Sequence, residues 1–281
     1  MRHIKQLIKK IIKILVNFLF KLDNNLSVGN IFFSLLHDKV KKISYNNIDL
    51  TFYTPNKLIN YRVETFKSKE PEILRWIDDF KTNSIFFDVG ANIGLYSCYA
   101  SKKKDCKTFS FEPSVFNLEN LAKNIHINDL SNKVTIIPNP LYKNKIISKM
   151  KMSSTNIGGA ISTFAEDYTF DGSKIDTVFS YNLPGISLDE LISEFSLPAP
   201  DYLKIDVDGI EHLILQGAMK NLKNLKSIFI EVSDNFTKQK NEVDHILKSN
   251  DFVFDSKYSD HSIKSEKFKD CYNQIWFKKS L

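Results

Sequence analysis

The sequence predicts an α/β protein in which a mostly parallel sheet is covered by helices on both faces. Three observations carry this. From residue 84 onward, short apolar runs alternate with helix-period segments, the pattern of βαβ units. The first run passes directly into a glycine turn, "FFDVGANIG", of the kind that takes a strand into a helix. Of the positions that close the predicted strands, Asp88, Glu112, Pro138, Asp206 and Glu231, all but Pro138 are acidic; in parallel sheets ligands sit at those carboxyl ends.

Taken in order, residues 4–19 place Ile4, Leu7, Ile8, Ile11, Ile12, Leu15, Phe18 and Leu19 on one helical face and Lys5, Lys9, Lys10 and Lys13 on the other. Lys13 and Asn17 interrupt the run too early for a membrane span, which needs about 18 apolar residues. "KLDNN" follows where a signal peptide would show a small-residue cleavage site. The helix is expected to pack on the domain or on a homodimer partner; the other reading is peripheral association of residues 4–20 with an anionic membrane. A second apolar segment lies around 28–42, and "KISYNNIDLTFYT" reads as a hairpin about Asn46-Asn47. "SKEPEILRWIDDF" reads as a helix with Ser68 as N-cap.

Strands are then expected at "SIFFDV", "KTFSFE", "KVTIIP", "DYLKIDV" and "LKSIFIEV", with helices at "IGLYSCYASKK", "SVFNLENLAKNIHIN", "SLDELISEF" and "GIEHLILQGAMKNL". A helix near 237–249 and two strands, "DFVFDS" and roughly 271–278, close the chain. The expected division is a basic helical extension over 1–45 and a domain over 46–281. The ligand-binding core of that domain runs over about 84–232, with an insert over about 139–186.

The 281 residues are 42% hydrophobic, which supports a sizeable core. Net charge is +6, but residues 1–42 set nine basic side chains against Asp23 and Asp38, a balance of +7, so the remainder carries −1. A nucleic-acid-binding body should present a basic face; this body is neutral, and no nucleic-acid partner is expected. Cys98, Cys106 and Cys271 fit no metal spacing and read as reduced thiols of a cytoplasmic protein.

A dinucleotide site shows G-x-G-x-x-G with the pyrophosphate on the helix N-terminus. Gly90-Ala-Asn92-Ile-Gly94 has Asn where the second glycine belongs, and Asp88 adds a negative charge beside the phosphates. That opposes a nicotinamide dinucleotide and its oxidoreductases. It suits a ligand with no phosphate and a cationic sulfonium, S-adenosylmethionine: Asp88 near the positive end, Gly90, Asn92 and Gly94 along the chain's close approach, and Glu112 as a bidentate acceptor for the ribose hydroxyls.

"FFDVGANIGLYS", "FSFEPSVFNLENLAKNI" and "YLKIDVDGIEHLILQGA" resemble, in order, the three signatures of the FkbM family of S-adenosylmethionine-dependent methyltransferases. "YRVETFKSKEPEILRWID" is similar to the family's lead-in helix, and "SSTNIGGAISTF" to an insert found in part of it. The resemblance implies a Rossmann-like class I methyltransferase fold, a seven-stranded sheet whose last hairpin makes one strand antiparallel. It implies O-methylation, commonly of sugars or of sugar-bearing and polyketide products. It also assigns Asp88, Gly90, Asn92 and Gly94 to S-adenosylmethionine and Glu112 to its ribose.

Methyl transfer from a sulfonium is an in-line displacement, so the acceptor oxygen must be aligned and relieved of its proton. Asp206 is the first choice for contacting the acceptor. Asp208 is a second catalytic candidate or a helix cap, Glu211 a cap, and His212 a candidate base or a packed residue. Asp206 and Glu231 are a candidate Mg²⁺ pair, with waters completing the shell. Loops beyond about 12–15 residues are usually lids or disordered, and the apolar content of the insert points to a lid shaping the acceptor pocket. Within it Ser154, Thr155 and Asn156 are candidates for hydrogen bonds to the acceptor, unless Gly158-Gly159 merely turns a hairpin. Arg62, beside Tyr61, is expected to meet an anionic group.

The leading reading is an O-methyltransferase acting on a saccharide or glycan precursor. The alternatives are a non-catalytic subunit scaffolding a glycan-assembly complex, or a methyltransferase of a non-sugar small molecule. A nucleic-acid methyltransferase is further disfavoured because "DVDG" stands where base-directed enzymes often carry Asn/Asp-Pro-Pro-aromatic.

Overall fold

The computed structural model describes residues 2–22, 27–259 and 270–279. Helices α1 (Arg2–Leu22) and α2 (Ser27–His37) come first. They touch each other, but α1 leaves its apolar face exposed, from Ile4 to Phe18, so the expected packing of that face on the domain does not occur. Strands β1 (Val40–Tyr45) and β2 (Ile48–Tyr53) form the expected hairpin, with Asn46 and Asn47 both in the left-handed region (φ 46° and 63°). Asparagine tolerates that conformation, and two such residues give the turn that matches strand twist. The hairpin spans residue 45, so the helical extension ends before β1 rather than at 45.

Helix α3 (Lys57–Glu64) is capped by Asn56, whose side chain accepts from the Ile59 amide at 2.8 Å. Helix α4 (Pro71–Asp78) starts one residue after Glu70, with Pro71 in its first turn. Ser68, expected as its cap, is instead bonded through its amide to Thr65. Proline at the first helical position needs no amide partner and carries the helical φ already, so it sets the start.

The sheet is built from β3 (Ile85–Val89), β4 (Lys107–Phe111), β5 (Val134–Ile137), β9 (Tyr202–Ile205), β10 (Ser227–Ser233), β11 (Phe252–Ser259) and β12 (Cys271–Lys278). Its order is β11-β12-β10-β9-β3-β4-β5. The pairs β3–β4, β4–β5, β3–β9 and β9–β10 are parallel, and β12 runs antiparallel to both neighbours. This is the Rossmann-like methyltransferase order, with one reversed strand near an edge.

Helices α5 (Leu95–Lys104), α6 (Val115–Ile127), α7 (Leu188–Glu194), α8 (Glu211–Gln216) and α9 (Thr237–Ser249) connect the strands. Phe86 and Phe87, adjacent on β3, are both fully buried but belong to separate cores on the two sides of the sheet. Neighbouring strand residues point to opposite faces, so a run apolar at every position needs cover on both. From β3 the chain moves outward to β4 and β5, then returns to lay β9 on the other side of β3. That reversal opens a crevice beyond the ends of β3 and β9.

The insert is ordered. Strands β6 (Ile146–Met152), β7 (Ser162–Phe164) and β8 (Phe179–Gly185) form a separate antiparallel sheet with β6 at its centre. Gly158 and Gly159 lie in the wide loop between β6 and β7.

Candidate active site

A cavity of about 470 Å³ opens at the carboxyl ends of β3, β4, β9 and β10 and is walled opposite by the insert. Its size falls in the usual range for small-molecule sites.

The glycine turn forms its floor. Gly90 has φ 83°, and a Cβ there would collide with the Asp206 carbonyl oxygen. The backbone of this turn therefore passes against the end of β9, a fit open only to glycine. The Gly90 and Ala91 amides both donate to the Phe111 carbonyl at 3.0 Å, tying the turn to β4. Asn92, at φ 51°, lines the cavity and donates from Nδ2 to the Gly159 carbonyl at 2.8 Å. Gly94 does not line the cavity. It opens α5 with φ 82° where a Cβ would strike Leu121 of α6, so its service is to close packing of the two helices.

Glu112 reaches the cavity from the end of β4. One of its carboxylate oxygens accepts from the Asn92 amide at 2.7 Å; the other accepts from the Ser114 amide at 2.9 Å and Asn117 Nδ2 at 3.3 Å. Three donors leave it capacity for about one more strong bond, less than the bidentate role expected. Burial raises its pKa to about 7 in spite of those donors.

Asp88 is the clearest departure. It is wholly buried and outside the cavity wall. Strand alternation turns it to the face covered by α5, where Ser97 Oγ donates to it at 2.6 Å and Lys204 Nζ stands 3.5 Å away. Lys204, 1% exposed, also lies 3.1 Å from Asp206 and 5.8 Å from the centroid of the Tyr96 ring. Burial would lower the Lys204 pKa, but Asp206 and Asp88 overcome it and raise it instead. Tyr96 donates to Glu70 at 2.6 Å. Burial works against the Glu70 charge, yet Lys69, Tyr96 and Lys204 hold its pKa at about 2. The residues Glu70, Lys69 and Tyr96 were not singled out from the sequence: they lie before α4 and within α5, and no local pattern links them to β9.

Asp206 and Glu231 both line the cavity, as expected. Burial, then the charges of Asp206 and Asp208, push the Glu231 pKa well above the usual carboxylate range. They do not fit a Mg²⁺ site. Among the described residues no three His, Cys, Asp or Glu groups stand together as metal ligands, and the ammonium of Lys204 already sits on Asp206.

Asp208 lies in the cavity wall at φ 64°. It caps no helix. Its Oδ2 accepts from the Ile161 and Ser162 amides of the insert, at 2.7 and 3.2 Å. Burial, then the Asp206 charge, raise its pKa to about 6 against those two donors. Arg62 serves the same junction: its Nε donates to the Gly158 carbonyl at 2.8 Å, and the side chain lines the cavity. Asn156 is exposed and outside the wall, its amide bonded to Ser154 Oγ at 3.1 Å; Ser154 lines the cavity in its place. The Gly-Gly loop turns between β6 and β7 and, bonded to Asn92 and Arg62, walls the cavity.

His212 is not in the cavity. It is fully buried between the rings of Tyr168 and Phe236, with neither ring nitrogen hydrogen-bonded among the described residues. Burial lowers its pKa to about 4, which keeps it neutral. Glu211, expected as a cap, opens α8 without capping it: its carboxylate accepts from the Val207 and Gly209 amides of the preceding turn at 3.0 and 3.2 Å.

Residues 88–254 match the family model described as the methyltransferase FkbM domain. The hexuronic acid methyltransferase AglP of Haloferax volcanii is 26% identical over 174 residues, covering 61% of this chain and 65% of that protein. The methyltransferase sdnD of Sordaria araneosa is 26% identical over 172 residues, covering 50% and 62%. The chain therefore spans just under two thirds of the length of these curated relatives. A solved methyltransferase FkbM from Methylobacillus flagellatus is 17% identical, with a TM-score of 0.46 over 69% of this chain and 44% of that one.

Proposed function

The chain belongs to the FkbM methyltransferase family, and from that premise we propose that it transfers a methyl group from S-adenosylmethionine to a hydroxyl of a saccharide or glycan precursor. The observation that carries this is the partition of one cavity by the end of β3: Glu112 and Asn92 stand on the β4 side, Asp206 and Glu231 on the side of β9 and β10.

The cofactor reading is supported by unfilled bonding capacity. Asn92 Oδ1 is buried without a hydrogen-bond partner among the described residues, and Glu112 keeps room for a hydroxyl. An orphaned acceptor in a cavity wall costs stability until a ligand supplies a donor. Asn92, Glu112 and the Gly90 turn would hold the nucleoside, and the acids beyond β9 would face the cationic end. When bound, the cofactor supplies a methyl carbon on a positively charged sulfur.

The acceptor side has the chemistry of polyol recognition. Asp206, with the Lys204 ammonium 3.1 Å away, would accept a hydroxyl proton; Glu231, whose charge is disfavoured by burial and the neighbouring acids, would donate to a neighbouring oxygen. One carboxyl group beside an ammonium and one whose charge is disfavoured would divide the roles of base and donor. Thr163, whose buried hydroxyl has no partner among the described residues, lines the same cavity.

The test is calorimetric titration of S-adenosylhomocysteine into the protein and its Glu112→Ala variant, followed by transfer of labelled methyl to a panel of oligosaccharides. Micromolar binding that the variant loses, with label entering a sugar, supports the reading. No binding by the folded protein, or label entering only non-sugar acceptors, sinks it.

A further inference from the structure

We propose that α1 and α2 form a seat for an anionic lipid surface, holding the domain at a membrane without crossing it. This does not rest on the function proposed above. Of the 28 large apolar side chains exposed among the described residues, 15 lie on these two helices. On α1, Ile4, Ile8, Ile11, Leu15 and Phe18 share one face and are 48% to 63% exposed. On α2, Ile31, Phe33, Leu35 and Leu36 are 59% to 67% exposed. Contact between the helices does not cover them: Phe20 lies over Gly29, away from the main apolar face of α1. Contiguous exposed apolar surface of this extent marks an interaction site.

Charge identifies the occupant. Helix α1 contains no Asp or Glu. Lys9, Lys10 and Lys13 fall on the side opposite its apolar face, with Lys21 nearer the edge. A helix with a broad apolar face and a lysine-rich polar side lies in the plane of a bilayer, with its ammonium groups among anionic headgroups. A second copy of the chain is a poorer fit, because an α1 paired through this face would leave its basic side with no anionic group to answer it. No described helix is long and apolar enough to span a membrane, so the helices lie on the surface. His37, at the end of α2, bonds to Glu119 at 2.7 Å and Lys123 at 2.7 Å on α6, which joins the seat to the domain.

The test is co-sedimentation of the full chain with vesicles of phosphatidylglycerol and phosphatidylcholine, and with phosphatidylcholine alone, at low and high salt. The protein should pellet with the anionic vesicles only, and less so in high salt. Replacing Lys9, Lys10 and Lys13 by Glu should reduce partitioning on the order of 100-fold or more. Ile11→Asp with Leu15→Asp should abolish it, while circular dichroism and the melting transition of the domain stay unchanged. Protein left in the supernatant with anionic vesicles overturns the proposal, as does binding indifferent to lipid charge. A dimer in light scattering that Ile11→Asp splits, without vesicle binding, would assign the face to a second copy instead.

Discussion

Asp88 and Lys204 are register partners on neighbouring parallel strands, and their charged groups stand 3.5 Å apart with both side chains shut off from solvent. The pair lies directly under the cavity, and Lys204 passes the contact on to Asp206 at 3.1 Å. A buried carboxylate and a cavity-facing one thus share a single ammonium. Removing that ammonium strands two acids, and breaking a buried pair in this way typically costs about 3–5 kcal/mol. Lys204→Met should lower the unfolding free energy by that order in urea denaturation. Asp88→Asn in the same chain should restore part of it, since the two sites are coupled.

Glu112 should make cofactor affinity depend on pH. Its folded pKa of about 7 lies above the ordinary carboxylate value because burial disfavours its charge. A ligand hydroxyl donating to it favours the charged form, so binding draws off a proton and affinity rises with pH through about 7. Titrations of S-adenosylhomocysteine between about pH 6 and 8 should show this slope. In Glu112→Gln the slope should flatten and binding should weaken, because an amide group would face backbone donors.

The insert is held by Asp208 and Arg62 from two different segments of the domain. Asp208→Ala leaves the Ile161 and Ser162 amides without their acceptor, a loss of about 1–3 kcal/mol of local stability. Hydrogen exchange at those two amides should accelerate. The KM for the acceptor should rise more than the Kd for S-adenosylhomocysteine.

The two glycines of the turn should answer differently to alanine. At Gly90 the colliding atom is a backbone carbonyl on another strand, which cannot step aside. Gly90→Ala should lose more than the 1–2 kcal/mol of a left-handed residue alone, together with cofactor binding. At Gly94 the obstacle is the Leu121 side chain, so Leu121→Ala should recover much of what Gly94→Ala loses in denaturation.

His212 should act on stability and not on chemistry. Its folded pKa of about 4 lies below the ordinary histidine value, so the unfolded chain binds the extra proton between about pH 4 and 6.5 and stability falls as pH drops through that window. His212→Phe should flatten this part of the stability profile and leave kcat near the wild-type value. A large fall in kcat with stability intact would return His212 to the catalytic group.

The α/β alternation and the final β11–β12 pair were legible, because each follows from local periodicity and turn chemistry, whereas two of the acids expected to end strands, Asp88 and Glu231, lie inside β3 and β10. Helix α9 was legible to its ends. The cavity residues that were legible are Glu112 and Asp206, just beyond β4 and β9, and Glu231, near the end of β10. Asp88 and His212 were misassigned because each lies inside an element, where a rotation of one position separates cavity from core.

The sequence alone thus determined the type and order of the elements, and through them a cleft at the strand ends. The tertiary structure decided which charges and donors each acid meets there. Asp88 meets Lys204 across a sheet, Asp208 meets Ile161 across 47 positions, and Arg62 meets Gly158 across 96. Burial and the distance to an opposite charge set whether a carboxylate is ionised, and both depend on residues far apart in the chain. The insert follows the same rule: β6 pairs with β8 across a long excursion, and such non-local pairing has no short-range signature.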